Sequence, residues 1–577
     1  MRDLPASAKL PAVQQLGVVH TGNDATRSRL GRGRKLYDLI CRNGVVADGT
    51  GGPLFPADVA IARDRIAAVG KLDAAAARVI DASGMVIAPG FVDIHSHTDV
   101  GLLANPPAES KLTQGITTEV GGNCGTSAGP CLDESVREEL RQLRADMEVS
   151  EDWTTLGEFL LILETHGIAV NYATYVGHSN VRSAVVGLAD VAASPGQIEE
   201  MRELVDQAMR EGAIGISSGL IYAPSCYGDT DELAALAEAA RPCGGIYASH
   251  IRNEREGLLD AVAEAIEVGR RSGAAVQIAH HKACGRNNRG KVKDSLEMIG
   301  VARRQGVNVT VDQYPYIASA TSLSAIIPRW AHDGGPQALL ERLKSPDRRA
   351  EIAQWLRDAS APGGPVELAG GWPSVVVSSV KTEANKDFEG KHIGQVAELA
   401  GKEAVEALLD LLIEEELAVA MVHFTQCEED VRTVLASSHS MFGTDASARA
   451  RSGPLSKGKP HPRAYGTFPR ILARYVREEG VLDLPTAIMK MTSIPAAKAG
   501  LDHRGKIAPG WFADIVVFDP ESIEDRATYA DPHQVSAGIA YVIVNGEVAA
   551  EAGEVTGTRS GRVLRGSGAR ALGAGSS

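Results

Sequence analysis

Phe91-Val92-Asp93-Ile94-His95-Ser96-His97 is the stretch whose reading decides the fold. In an extended chain residues i and i+2 point to the same side, so His95 and His97 aim two imidazoles at one point. The preceding run, Met85-Val86-Ile87-Ala88-Pro89-Gly90, is apolar enough to enter a buried parallel sheet. Parallel α/β folds gather their chemistry at the C-terminal ends of the strands. The pair therefore predicts a metal-dependent hydrolase. Two histidines one residue apart also recur by chance, so the rest of the chain has to supply further ligands.

Working outward, apolar strands are expected to end near His97, Cys124, His178, Ser217, His250, His280, Tyr314 and Asp445. Helical spacing of apolar residues over Pro195–Glu211, Thr230–Ala240 and 257–272 fills the gaps between them. Eight such units predict an α/β fold, a (β/α)8 TIM-like barrel over residues 86–504. The interval 324–438 is too long for one unit. Helical patterns at 346–358 and 402–416 predict an inserted subdomain before the last barrel strand, placed to cover the barrel mouth. Segments 37–85 and 505–565 carry short alternating strands and are expected to pair as one small β-sandwich domain built from both chain ends. Asn43-Gly44 reads as a hairpin turn. Residues 1–36 are expected to be a mobile leader and 566–577 a flexible tail.

Composition narrows the function. A hydrophobic share of 44% with 23% charged residues fits a soluble globular protein. A net charge of −14 argues against nucleic-acid and anionic-membrane partners. There is no apolar run long enough to span a bilayer and no signal-peptide core near the start. The seven cysteines are odd in number and scattered, which fits a reducing, cytoplasmic setting rather than a disulfide framework.

Five metal-competent side chains and an aspartate fall at the expected strand ends: His95, His97, Cys124, His250, His280 and Asp445. Each alone has a bland reading, as a small buried hydrophobe, a hydrogen-bonded structural histidine or a helix cap. Together at one barrel face they predict a metal site. Mixed sulfur, nitrogen and oxygen donors favour zinc over magnesium or calcium. Asp445 is the candidate catalytic residue, a carboxylate beside the attacking water that takes its proton and passes it to the leaving nitrogen.

At this point the chain resembles the D-aminoacylase (N-acyl-D-amino-acid deacylase) family of the amidohydrolase superfamily, from about residue 37 to Arg565. The resemblance rests on His95-Ser96-His97, Gly121-Gly122-Asn123-Cys124-Gly125, Ser249-His250-Ile251-Arg252-Asn253-Glu254, His280-His281-Lys282, Tyr314-Pro315-Tyr316, Gly443-Thr444-Asp445 and His461-Pro462-Arg463-Ala464-Tyr465-Gly466-Thr467-Phe468. The cysteine is its specific part, because most superfamily relatives bridge metals there with a carboxylated lysine or a carboxylate. The resemblance implies a tight zinc on Cys124, His250 and His280, and a second, weaker position on His95, His97, Cys124 and Asp445. It implies hydrolysis of the amide bond of N-acyl-D-amino acids, small-molecule substrates, to a carboxylate and a free D-amino acid.

By the same resemblance Arg463 clamps the substrate carboxylate, as its planar fork suits. Tyr314 or Tyr316 adds a hydroxyl, Ser319 or Ser322 assists, and Lys282 is a further cation at a strand end. His280 is preferred to His281 because it closes the alternating strand. Arg252 is read either as another strand-end cation or as a structural pair for Glu254 or Asp312, and Asn123 and His178 as partners that orient ligands. The alternative reading is a cyclic-amide hydrolase of dihydroorotase or hydantoinase type, against which Cys124 argues. Arg449, Arg451 and Lys457 are considered as cations for an acidic side chain. Side-chain preference, acyl preference and oligomeric state are not legible in the sequence.

Overall fold

The computed structural model describes residues 36–361 and 364–569. The expected leader lies outside them apart from Leu36, and so do residues 570–577 of the expected tail. Gly566 and Gly568 are buried; a Cβ on Gly566 would meet Ala213 O at 2.3 Å. The chain thus stays packed on the barrel past the point where a flexible tail was expected.

Eight parallel strands, one of them in two segments, build the centre. Phe91–Asp93, Ile116–Gly121 and Asn171–Thr174 form one ladder. Val176–Gly177 continues the third of them into a second ladder. There it is followed by Gly215–Gly219, Ile246–His250, Ala275–Ile278, Val309–Gln313 and Ser440–Phe442. A parallel bridge between Ser96 and Ala446 joins the last strand to the first. These strands are buried along their length, with only Ala275 and Thr310 half-buried, as both faces of such a sheet are covered. Helices Pro195–Glu211, Thr230–Ala240, Leu258–Ser272 and Lys291–Arg304 wrap the outside with one apolar face each. The architecture is a TIM-type barrel.

A nine-stranded sheet takes strands from both chain ends, from Leu36–Val46 through Val86–Pro89 to Ile515–Phe518 and Glu554–Val555. Val86–Pro89 pairs with Ile515–Phe518, two residues before the first barrel strand begins. Asn43-Gly44 is not a hairpin turn. Leu36–Val46 is one strand, and its register against Phe55–Ala62 shifts between Cys41 and Gly44. Asn43 has φ 61°, the left-handed conformation that a bulge shares with a tight turn. A Cβ on Gly44 would lie 2.5 Å from the Ile87 side chain, so the bulge needs glycine.

A separate antiparallel sheet of Ala318–Ser322, Ala420–Phe424 and Val375–Ser379 carries its own apolar cluster, including Leu343, Leu356, Leu408 and Val377. It begins before residue 324. Helix Glu428–Ala436 belongs with the barrel, since Asp430 accepts a 2.9 Å hydrogen bond from Gly290 N at the start of Lys291–Arg304. No helix among the described residues is long and apolar enough to cross a membrane.

Lys490, on helix Leu484–Met491, is 2% exposed. Its Nζ donates to Ser437 O at 2.7 Å and to Leu435 O. Burial pushes its ammonium down to about 7. A base lowered in the native state leaves the unfolded chain holding more protons between that value and about 10.4, so this residue makes stability rise with pH across that window. Lys490→Met is expected to flatten the rise by up to about 1.4 kcal/mol per pH unit. Urea unfolding of both proteins at pH 7 and pH 9 checks this, and an unchanged difference between them would refute the burial argument.

Candidate active site

The strand ends converge as their spacing implies. His95 and His97 leave the first strand on the same side, with ring centroids 5.3 Å apart. Cys124 Sγ lies 3.4 Å from His95 Nε2 and 3.5 Å from His280 Nε2. His280 Nε2 is 2.9 Å from His250 Nδ1. Asp445 Oδ1 sits 3.0 Å from His97 Nε2 and 3.4 Å from His95 Nε2. Ligand atoms of Cys124, His250 and His280 all fall within 4.8 Å of one another, and so do those of His95, His97, Cys124 and Asp445.

The local backbone is bent to achieve this. Cys124, His280 and Asp445 have φ of 53°, 34° and 50°, a conformation that costs a non-glycine residue of order 1–3 kcal/mol. Three such residues in one cleft are the pattern of strain kept for function. The Gly121-Gly122-Asn123-Cys124-Gly125 turn needs its glycines for close approach. A Cβ on Gly122 would meet Tyr175 O at 2.3 Å, and one on Gly125 would meet Gly219 N at 2.6 Å.

Buried carboxylates aim the rings. Asp312 Oδ1 takes His95 Nδ1 at 3.0 Å and the His280 backbone N–H at 2.8 Å, and Gln277 Nε2 holds its other oxygen at 2.8 Å. Glu254 Oε1 lies 3.2 Å from His280 Nδ1 and 2.5 Å from Lys282 Nζ. The carboxylate on His95 Nδ1 fixes the tautomer that leaves its Nε2 bare for a metal, whereas His280 Nδ1 accepts from Lys282 Nζ at 2.8 Å. Asp312 and Glu254 were not identified as supports from the sequence; for Asp312 the available signal was a charged residue within an apolar barrel strand, Val309–Gln313.

Electrostatics favour the ligand forms. Burial opposes charge on Cys124, yet His95 and His280 outweigh it and hold the thiol well below its ordinary range. The thiolate is the form that binds metal. At Asp445 burial is likewise overcome, by Arg463, His280 and His95, and the carboxyl stays well below the usual carboxylate range. Burial and the neighbouring His280 push His250 down, toward the neutral ring that ligates. Its Nε2 is buried and finds no hydrogen-bond partner. One soft sulfur with two imidazoles, turned together through His250 Nδ1 and His280 Nε2, fits a zinc-type ion and suits magnesium or calcium poorly.

The cleft holds about 380 Å³ and is lined by His97, Cys124, His250, His280, Asp445 and Arg463, with Lys282 and Ser319 also in its wall. Arg463 Nη1 stands 2.7 Å from Asp445 Oδ2, but the contact is electrostatic, for Nη1 has no aligned acceptor. Arg463 Nη2 donates to Ala320 O at 3.2 Å, and the guanidinium lies over the Tyr314 ring. Tyr314 thus backs the cation, and its hydroxyl accepts from Gln426 Nε2 at 3.2 Å. Tyr316 turns away from the cleft. Its ring lies under Arg470 and packs edge-on against His461, and neither tyrosine is among the residues lining the cleft.

Other expectations fall elsewhere. His281 points outward to Ser295 Oγ at 2.8 Å. Arg252 pairs with Glu264, not with Glu254 or Asp312. His178 binds Ser225 and Glu232, each at 2.7 Å, and touches no candidate ligand. Arg451 is taken up by Glu109 and Glu554, and neither it nor Arg449 nor Lys457 lines the cleft.

Comparison with known proteins agrees with this geometry. The model of the amidohydrolase family matches residues 78–550. A D-aminoacylase from Alcaligenes xylosoxydans xylosoxydans is 35% identical, the match covering 92% of this chain and 97% of that one. An N-acyl-D-glutamate deacylase from the same organism is 36% identical, over 92% and 96%. Among solved structures, N-acyl-D-glutamate deacylase from Bordetella bronchiseptica, complexed with zinc and a phosphonate mimic of the tetrahedral intermediate, superposes with a TM-score of 0.76. It is 31% identical, over 92% of this chain and all of that one. Identity at this level over nearly the whole length, on a barrel carrying the cysteine-centred cluster, means that the chain belongs to the amidohydrolase family, among the D-aminoacylases.

Proposed function

We propose that the protein is a zinc-dependent N-acyl-D-amino-acid deacylase, which cleaves the amide to a carboxylate and a free D-amino acid. The observation that carries the reading is one cleft holding Cys124, His250 and His280 within ligand distance of each other, with Asp445 and Arg463 beside them. Cys124, His250 and His280 would hold the tight ion, and His95, His97, Cys124 and Asp445 a weaker second one. When bound, the zinc polarises the acyl carbonyl and makes water acidic enough to attack near neutral pH. The relatives named above support linear N-acyl-D-amino acids over a cyclic amide.

The chain's own residues supply the rest. Arg463 takes the substrate carboxylate, with Lys282 and Ser319 in the same wall and Tyr314 stacked behind it. Drawn to that carboxylate, Arg463 relaxes its hold on Asp445 Oδ2 and so makes Asp445 a stronger base when substrate is present. Asp445 removes a proton from the attacking water and returns it to the leaving nitrogen. Anchors at the carbonyl, the carboxylate and the Cα side chain distinguish the two hands of the amino acid.

The same reading assigns residues 37–85 and 505–565 to one small β-sandwich domain and the inserted sheet and helices to a cover over the cleft. The test is amino-acid release from paired N-acetyl-D- and N-acetyl-L-methionine, leucine, glutamate and aspartate, with dihydroorotate alongside. Release from D substrates alone is expected. Turnover of dihydroorotate with silence on every acylamino acid would replace the reading by the cyclic-amide one.

A further inference from the structure

A second cavity of about 700 Å³ adjoins the cleft of about 380 Å³. Thr126, Ile221 and Tyr222 stand in the walls of both, so the two spaces meet. The Tyr222 hydroxyl lies 3.0 Å from Thr321 Oγ1 at the junction; Thr321 lines the cleft, and the next residue, Ser322, lines the larger space.

This annex has one apolar wall, although Asn180, Arg255 and His423 also line it. Ile326, Ile327, Leu339 and Val366, all from the inserted segment, are buried and apolar. Of its charged members, Glu139, Arg329 and Glu416 are exposed, as at a rim, and Arg255 is half-buried. Ile221 and Trp355 line it while remaining 41% and 39% exposed, large apolar side chains whose covering by a ligand is favourable.

The junction shows which half of a substrate continues into the annex. Thr126 is two residues past Cys124, and the Tyr222 ring packs edge-on against His250 at 5.2 Å. The carboxylate clamp is elsewhere: Arg463 is fixed at Ala320 and Tyr314, and none of these three lines the annex. The acyl chain leaves the carbonyl carbon beside Cys124 and His250. The amino-acid side chain leaves Cα, between carbonyl and clamp. The annex therefore prolongs the acyl half.

Resting on the deacylase reading, we propose that the preferred substrates are D-amino acids bearing a long, unbranched alkyl acyl group, whose chain lies in this annex. Water gives its hydroxyl to the acyl carbon and a proton to the nitrogen as the C–N bond breaks. The products are a fatty carboxylate and a free D-amino acid. An acetyl methyl leaves the annex unfilled, whereas each buried methylene is expected to raise kcat/KM about two- to fourfold.

The experiment uses the zinc-loaded full chain with N-acetyl, N-octanoyl, N-dodecanoyl and N-phenylacetyl forms of one D-amino acid, below micelle-forming concentrations. The expected result is a rise of at least about 100-fold from acetyl to dodecanoyl. Ala325, exposed and lining only the annex, provides the control. Ala325→Trp should lower dodecanoyl turnover at least about tenfold by displacing several methylenes, with acetyl turnover unchanged. Trp355→Glu should act in the same direction. Good acetyl turnover with a flat or falling alkyl series, or a rise with phenylacetyl alone, overturns the inference and leaves the deacylase reading standing. A rising series that both variants leave untouched overturns the placement in the annex. No release from any of the four overturns both readings.

Discussion

Replacing Asp445 by asparagine is expected to lower kcat by about 10³–10⁴-fold while the metal on Cys124, His250 and His280 stays bound. Asparagine keeps the shape of the side chain and can still meet His97 Nε2, which lies 3.0 Å from Oδ1 in the native protein. It cannot accept a proton from water or return one to nitrogen, and both transfers are assigned to this one carboxylate. KM should change little or fall, because Arg463 loses the charge that competes with substrate at 2.7 Å. Cys124→Ala gives the contrasting phenotype. It removes the only sulfur shared by the two ligand clusters, so metal content itself should fall. Steady-state kinetics with metal analysis after dialysis separates the two. Wild-type kcat in Asp445→Asn would place the base on another group.

The parts of this site that read directly from the sequence are those whose position follows from strand periodicity. His95 and His97 share a side because they are two residues apart. Cys124, His250, His280 and Asp445 sit at or just past the ends of apolar runs, and the barrel brings those ends together. What the sequence hid has physical reasons. Asn43-Gly44 reads as a turn because the dipeptide favours left-handed φ, and a bulge asks for the same conformation. Tyr314 and Tyr316 have equal parity around Pro315, so alternation cannot tell which of them meets Arg463 and which meets Arg470. Arg449, Arg451 and Lys457 follow Asp445 in sequence but lie off the cleft, and Arg451 already has two carboxylate partners. Asp312, Glu254 and Lys111 act by holding other groups, and such partners come from distant segments with no spacing of their own.

Lys111 is the most consequential of these hidden groups. It lies on the four-residue helix Glu109–Leu112 and its side chain is fully buried. Its Nζ reaches Asp93 Oδ2, Thr444 Oγ1 and Ala446 O, each at 2.8 Å, and Ser96 Oγ at 3.1 Å. A second buried carboxylate, Glu119, lies 3.4 Å away and takes the hydroxyls of Ser96 and Thr98. Asp93 in turn accepts from Thr444 N at 2.8 Å. One ammonium therefore ties the His95-Ser96-His97 segment to the Thr444-Asp445-Ala446 turn from behind. Lys111→Met would leave two carboxylates in a dry interior without a cation, and breaking a buried pair in this way costs about 3–5 kcal/mol. A loss of that size in urea unfolding is expected. Asp445 and His97 lose their common support, so kcat should also fall about 10–100-fold, the scale of a lost partner behind a metal site. Zinc on Cys124, His250 and His280 should remain, since those residues hang from other strands. A variant as stable and as active as the native protein would show that the buried ion pair carries no net stability and that the turn carrying Asp445 holds itself.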